Sequence, residues 1–201
     1  MNLNFVEDFF QEGFKLICGI DEAGRGPLAG PVCVAAVILP KIFDLPFLND
    51  SKKLSEKKRE ELFKKIKQQA LCFNIVMINE KQIDKLNILQ ATMLGMQMAA
   101  DSLTPQPDLI LVDGNQTPKL KRNTYIQCLI KGDEKIPAIA AASILAKVSR
   151  DRFISELGQK KYPQYLFEKH KGYGTAEHFR AISEFGLCEI HRKSFCKKWL
   201  H

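Results

Sequence analysis

Apolar residues in this chain gather in short unbroken blocks, and between and after them they recur at helical spacing. The blocks at 16–21, 32–39, 71–78, 109–112 and 125–130 have the length and apolar character of strands. Ser55 predicts the N-cap of a helix running to 69, with Leu62, Phe63 and Ile66 as its inner stripe. Segments 83–100 and 138–157 read as longer helices, and Thr175 and Gly186 bracket another. Strands that first follow one another and later alternate with helices predict an α/β chain whose mixed sheet is covered on both faces.

The 138–157 helix matters beyond packing. Ala138, Ala140, Ala141, Ala142 and Ala146 would let its backbone lie close to the sheet and bring Ser143 and Lys147 onto one face at i, i+4. Its small residues are most simply core packing, and Lys147 is the member able to reach a phosphate.

At 201 residues and 45% hydrophobic, the chain fits one domain, 1–201, of which 158–201 reads as a helical extension. No 18-residue apolar span is present, so no membrane crossing is expected. No signal peptide is apparent. Cys18, Cys33, Cys72 and Cys128 lie in strand-like runs, and all six cysteines are expected to be reduced, as in a cytoplasmic protein.

Charge changes the picture. The chain carries 30 Lys and Arg against 23 Asp and Glu, a net +7. Residues 147–201 hold 12 basic and 6 acidic side chains and residues 51–69 hold 8 and 3, which leaves the remainder net acidic. Basic flanks around an acidic centre suit a polyanion gripped through its backbone. A Lys-rich helix such as 55–69 can equally be a solvated face.

The acidic centre is legible as chemistry. The first apolar block delivers Asp21 and Glu22 into a glycine-rich turn containing Gly24, Arg25 and Gly26. Adjacent strand side chains point to opposite faces, so both acids can serve one site only if the strand ends there. An isolated Asp-Glu pair is commonly a solvated turn, but Asp113 also closes an apolar block, and Asp133 follows a third. Sheet proteins place ligands at such strand ends. Two carboxylates about 4 Å apart repel by roughly 4 kcal/mol at an effective dielectric near 20, so a cluster requires cations or protons. Oxygen-only ligands favour Mg2+ or Mn2+, and two such ions can drive phosphodiester hydrolysis.

Other chemistries fit less well. Gly24, Gly26 and Gly30 approach a dinucleotide fingerprint, but Pro27 and a strand-like block follow where a helix is required. Cys188, His191, Cys196 and His201 are too irregularly spaced for a zinc site. Tyr173, between Gly172 and Gly174, could stack on a sugar or base, or anchor its loop by local packing. Segment 191–195 is basic enough to follow a nucleic-acid backbone, and reads equally as an exposed tail.

The residues at 19–31, Asp50 to Leu54, Val112-Asp113-Gly114, Lys131-Gly132-Asp133, 141–148, 170–175 and 191–195, in that order, closely resemble the motifs of the ribonuclease HII family. The resemblance implies a ribonuclease H-like fold, with a mixed five-stranded sheet flanked by helices and a carboxyl-terminal helical extension. It implies that Asp21, Glu22, Asp113 and Asp133 hold two divalent ions, Mn2+ or Mg2+, with Asp21 bridging both. The Gly24-Arg25-Gly26 turn is then similar to the family's sensor of the ribose 2′-hydroxyl, and Tyr173 to its check on a ribonucleotide–DNA junction. Ser51, Lys52, Ser143 and Lys147 look like phosphate contacts. The implied substrates are RNA–DNA hybrids and single ribonucleotides in duplex DNA, cut on the 5′ side to leave 3′-hydroxyl and 5′-phosphate ends. Recruitment to the replication machinery stays open.

The sister family, ribonuclease HIII, usually has threonine at the position of Arg25, a glutamate as fourth acid and an added amino-terminal domain, so it is disfavoured. Two readings of other classes are a strand-transferring recombinase of similar fold and a non-catalytic nucleic-acid-binding module. The module would tolerate loss of Asp113; the recombinase would act without any ribonucleotide.

Overall fold

The computed structural model describes residues 4–46, 48 and 54–199. One mixed sheet is built from β1 (Ile17–Ala23), β2 (Val32–Ile38), β3 (Cys72–Ile78), β4 (Leu109–Asp113) and β5 (Tyr125–Leu129), in the order β3-β2-β1-β4-β5. The first three strands pair antiparallel, whereas β4 on β1 and β5 on β4 are parallel. The five apolar blocks are therefore the five strands. β5 differs in being a half-exposed edge strand, with Tyr125 facing solvent.

β2 is buried along its whole length because its alternate residues face two cores. Cys33, Ala35 and Val37 meet α2 (Glu56–Gln69) and α5 (Pro137–Lys161), and Val34, Ala36 and Ile38 meet α4 (Ile88–Asp101). In α2, Ser55 caps the Lys58 amide, and Leu62, Phe63 and Ile66 are its buried residues, as the stripe predicts. The expected 83–100 helix is two helices, α3 (Glu80–Leu86) and α4. Asn87 between them sits at φ 69 and its side chain accepts from the Gln90 amide, so it ends one helix and caps the next. An unanticipated α1 (Asn4–Gln11) lays Val6, Phe9 and Phe10 on a core formed by Ile17, Leu109, Leu111, Ile136 and Ile139.

α5 is longer than its predicted span at both ends, with Pro137 in its first turn, where a missing N–H is harmless. Its amino-terminal backbone lies directly on β1. A Cβ on Gly19 would stand 2.1 Å from the Ala138 carbonyl carbon, so only glycine allows this approach. That contact sets the height at which Ser143 and Lys147 hang over the strand ends.

Beyond α5 come two short helices, α6 (Phe167–His170) and α7 (Ala176–Phe185), and α7 runs between its predicted Thr175 cap and Gly186. Tyr165, Phe167, Ala181, Ile182 and Ile190 bury themselves around Ala29 of the glycine-rich turn. Segment 191–195 is anchored rather than a free tail, because His191 and Arg192 are buried and His191 forms a β-bridge with Ala29, while Lys193 and Ser194 stay exposed.

Candidate active site

The β1–β4 ladder ends at Ile20↔Val112, and the next residue on each strand is an aspartate, Asp21 and Asp113. β1 itself does not end at Asp21 as the sequence led us to expect. It continues against β2 as far as Ala23↔Cys33, and what stops is its parallel partner. Two strands part at this point, opening space beside their carboxylates.

Asp21 is only 6% exposed. Burial first, then the charges of Glu22 and Asp113, hold its carboxyl well above the ordinary carboxylate range, although the Ser143 hydroxyl and the Glu22 amide donate to it. Burial likewise raises Glu22, with Asp113 adding to the shift and Arg25, 3.3 Å away, opposing it. Asp21, Glu22 and Asp113 therefore share one electrostatic neighbourhood. Asp113 Oδ1 accepts the Gly132 amide at 2.7 Å, tying β4 to the turn that carries buried Asp133. This turn follows Lys131 in a left-handed conformation, and at Gly132 it packs closely enough that a Cβ would displace the Ile139 Cδ1 methyl, 2.6 Å away.

Beside the acids lies an open cleft of about 320 Å³ lined by Glu22, Gly24, Arg59, Ser143, Lys147 and Tyr173 among others. Tyr173 is 41% exposed, so its ring forms a wall of the cleft rather than a buried anchor. The Lys147 ammonium and the Arg150 guanidinium lie 5.8 and 5.7 Å from its centre, and a Cβ on Gly26 would be 3.8 Å from its edge. Lys147 is held by Asp151 at 2.9 Å. Ser143 contacts Asp21, a placement that makes it a support for a carboxylate. Ser51 and Lys52 lie outside the described residues.

Sequence reasoning missed two arginines. Arg150 and Arg192 are fully buried and spend their guanidinium donors on backbone carbonyls around the glycine-rich turn. Arg150 had a signal: with Ala142, Ala146 and Ile154 it recurs every fourth residue on a buried face, which places it inward. Arg192 had none, since it stands in a run of basic residues. Cys188, His191 and Cys196 do not converge: His191 Nδ1 faces Cys188, while Cys196 Sγ points at the Leu28 carbonyl, and His201 lies outside the described residues.

Among the described residues, no group of three His, Cys, Asp or Glu side chains is arranged to ligate one ion. The chemistry of the donor set still fits hard divalent cations. Asp21, Glu22 and Asp113 lie within electrostatic reach of one another with only oxygen atoms to offer, and Asp21 and Glu22 are pushed toward protonation by burial and by neighbouring carboxylates, a condition that a cation would relieve.

The sequence profile of ribonuclease HII matches residues 18–198. The chain belongs to the ribonuclease HII family. A ribonuclease HII from Caldicellulosiruptor saccharolyticus is 54% identical over 194 residues, covering 96% of this chain and 93% of the relative. The solved ribonuclease H2 from Pyrococcus horikoshii OT3 superposes with a TM-score of 0.78 at 27% identity, covering 91% of this chain and 96% of that one. A ribonuclease HII from Archaeoglobus fulgidus, solved in complex with PCNA, gives 0.70 at 28% identity, covering 88% and 93%. The fold is thus ribonuclease H-like, and family membership makes the chain a nuclease and sets aside the recombinase and the non-catalytic module.

Proposed function

We propose that this chain is a metal-dependent endoribonuclease that cuts on the 5′ side of ribonucleotides, in RNA–DNA hybrids and at single ribonucleotides within duplex DNA, leaving 3′-hydroxyl and 5′-phosphate ends. The observation that carries this reading is the electrostatic coupling of Asp21, Glu22 and Asp113 where β1 and β4 part, beside a cleft walled by Lys147 and Tyr173. Asp133 is the fourth carboxylate of the set. Two divalent ions, Mn2+ or Mg2+, would supply an activated water and compensate the charge on the departing oxygen.

The chain's own residues do the rest. Ser143 orients Asp21, and the Gly132 amide orients Asp113, so each carboxylate presents a fixed face to the gap between the strands. Lys147 offers a cation to the scissile strand's phosphates once Asp151 yields it. Tyr173 offers a ring face to the sugar, and the Gly24-Arg25-Gly26 turn opposite it reads the 2′-hydroxyl. Lys52 and Ser51 are assigned to phosphates by family resemblance.

Six free cysteines agree with a reducing compartment, the cytoplasm. The complex of the Archaeoglobus relative with PCNA supports a link to the replication machinery.

The deciding experiment is a denaturing gel of a labelled duplex containing one ribonucleotide, beside its all-DNA twin, with Mg2+, Mn2+ or chelator. A single cut 5′ to the ribonucleotide, dependent on metal and absent from the twin, is the expected result. Metal-independent cutting, or equal cutting of both duplexes, would overturn the proposal.

A further inference from the structure

Arg192 places all three arms of its guanidinium on backbone carbonyls: Nη2 donates to Gly24 at 2.6 Å, Nη1 to Arg25 at 2.9 Å and Nε to Gly30 at 2.9 Å. Arg150 does the same to the other side of the loop, with Nε on Pro31 at 2.9 Å, Nη2 on Ala29 at 3.1 Å and Nη1 on Lys171 at 3.0 Å. The last of these carbonyls belongs to the loop that carries Tyr173. The two guanidiniums thus hold both recognition elements of the cleft.

Their electrostatic surroundings rule out ordinary ion pairing. Arg192 makes no close contact with a carboxylate among the described residues, and Arg150 reaches only Asp151, at 3.9 Å. Burial pushes both guanidiniums down from their ordinary range, and for Arg192 the Arg150 charge adds to this. Two like charges buried together are a poor means of packing a core, and apolar side chains would fill the space at less cost. What a guanidinium does better is fix several carbonyl directions at once, through a rigid planar fork. In a trans peptide the N–H points opposite to the C=O. With the Gly24 and Arg25 carbonyls drawn inward to Arg192, the Arg25 and Gly26 N–H groups are turned away from the interior. Gly24 takes part as well: a Cβ there would lie 2.0 Å from Arg150 Nε.

We infer that Arg192, with Arg150, is a positioning residue for ribonucleotide recognition, locking the Gly24-Arg25-Gly26 turn and the Tyr173 loop in the geometry that reads a 2′-hydroxyl. This rests on the proposed reading of the turn as the 2′-hydroxyl sensor. Neither arginine touches substrate.

The test compares Arg192→Lys and Arg150→Lys with the wild-type chain. A lysine keeps the charge but cannot serve three carbonyls in a plane. In variants whose circular dichroism and melting stay cooperative, kcat on a single-ribonucleotide duplex is expected to fall at least tenfold relative to kcat on a continuous hybrid, with KM changing less than threefold. A second measurement needs no variant. Amide 15N relaxation of the free wild-type chain should show Arg25 and Gly26 as rigid as the sheet, with order parameters near about 0.85. Unchanged substrate preference in a folded lysine variant, equal losses on both substrates, or mobile Arg25 and Gly26 amides would each overturn the inference. If instead the wild-type chain fails to distinguish the ribonucleotide duplex from its all-DNA twin, the reading of the turn itself falls, whatever the variants do.

Discussion

His178 Nε2 and His191 Nε2 face each other at 3.0 Å inside the carboxyl-terminal core, and the rest of their bonds fix which nitrogen holds each proton. His178 Nδ1 must donate to the Tyr173 carbonyl at 2.9 Å, so its Nε2 accepts from His191, whose Nδ1 in turn accepts the Cys188 amide at 2.9 Å. Both rings are therefore neutral, and both belong to the scaffold of the Tyr173 loop.

Acid should undo this arrangement. Burial, the largest cause for each, lowers His178 and His191 to about 4, so between pH 6.5 and 4 the unfolded chain binds protons that the folded chain refuses. Stability from this pair is full above pH 6.5 and is lost as pH falls, each unit of depression being worth about 1.4 kcal/mol. Imidazole NMR should find both rings neutral at pH 5.5; a His178 signal titrating near 6.5 would contradict the network.

The raised carboxyl of Asp21 has the opposite sign. Its folded pKa lies above the unfolded value, so its burden grows as pH rises from about 4 toward neutrality. Asp21→Asn should raise the melting temperature of the metal-free protein at neutral pH while abolishing the shift that added Mn2+ produces. Cleavage should fall by more than about 100-fold, since disturbing even a ligand's own partner costs 10–100-fold. Ser143→Ala, which removes that partner, should cost about 10–100-fold with the duplex still bound. Full activity in Asp21→Asn would remove Asp21 from the site, and full activity in Ser143→Ala would remove Ser143 as its support.

Lys147 is restrained by Asp151 in the free protein. Asp151→Asn should release it, tightening binding to duplex and steepening the dependence of affinity on salt, whereas Lys147→Ala should flatten that slope by about one. Fluorescence anisotropy at several ionic strengths separates the two effects.

Tyr173→Ala should weaken cutting at a single ribonucleotide by about 10- to 100-fold, the equivalent of 1–3 kcal/mol for a lost stacking face. A continuous hybrid should suffer less, as it should for Arg25→Ala. Equal losses on both substrates would make these residues general binders.

Strand positions were legible because β2 is buried throughout and β1 and β4 are buried and apolar up to their acids. The acids were legible because charge at the end of such a run has few structural reasons to exist. What escaped was long-range. Nothing local marks Ser143 as a partner of Asp21, because that depends on how closely α5 approaches Gly19. Asn87 looks helical by its apolar neighbours, and only its left-handed backbone reveals a break. Arg192 sits 162 residues from the Gly30 carbonyl that it binds, a separation across which no periodicity carries information.

That separation bears on how the protein is made. All five strands, and with them Asp21 and Asp113, have been synthesised by residue 129, 63 residues before Arg192. Until Arg192 arrives, the glycine-rich turn of a nascent chain lacks the three carbonyl restraints that this one side chain supplies.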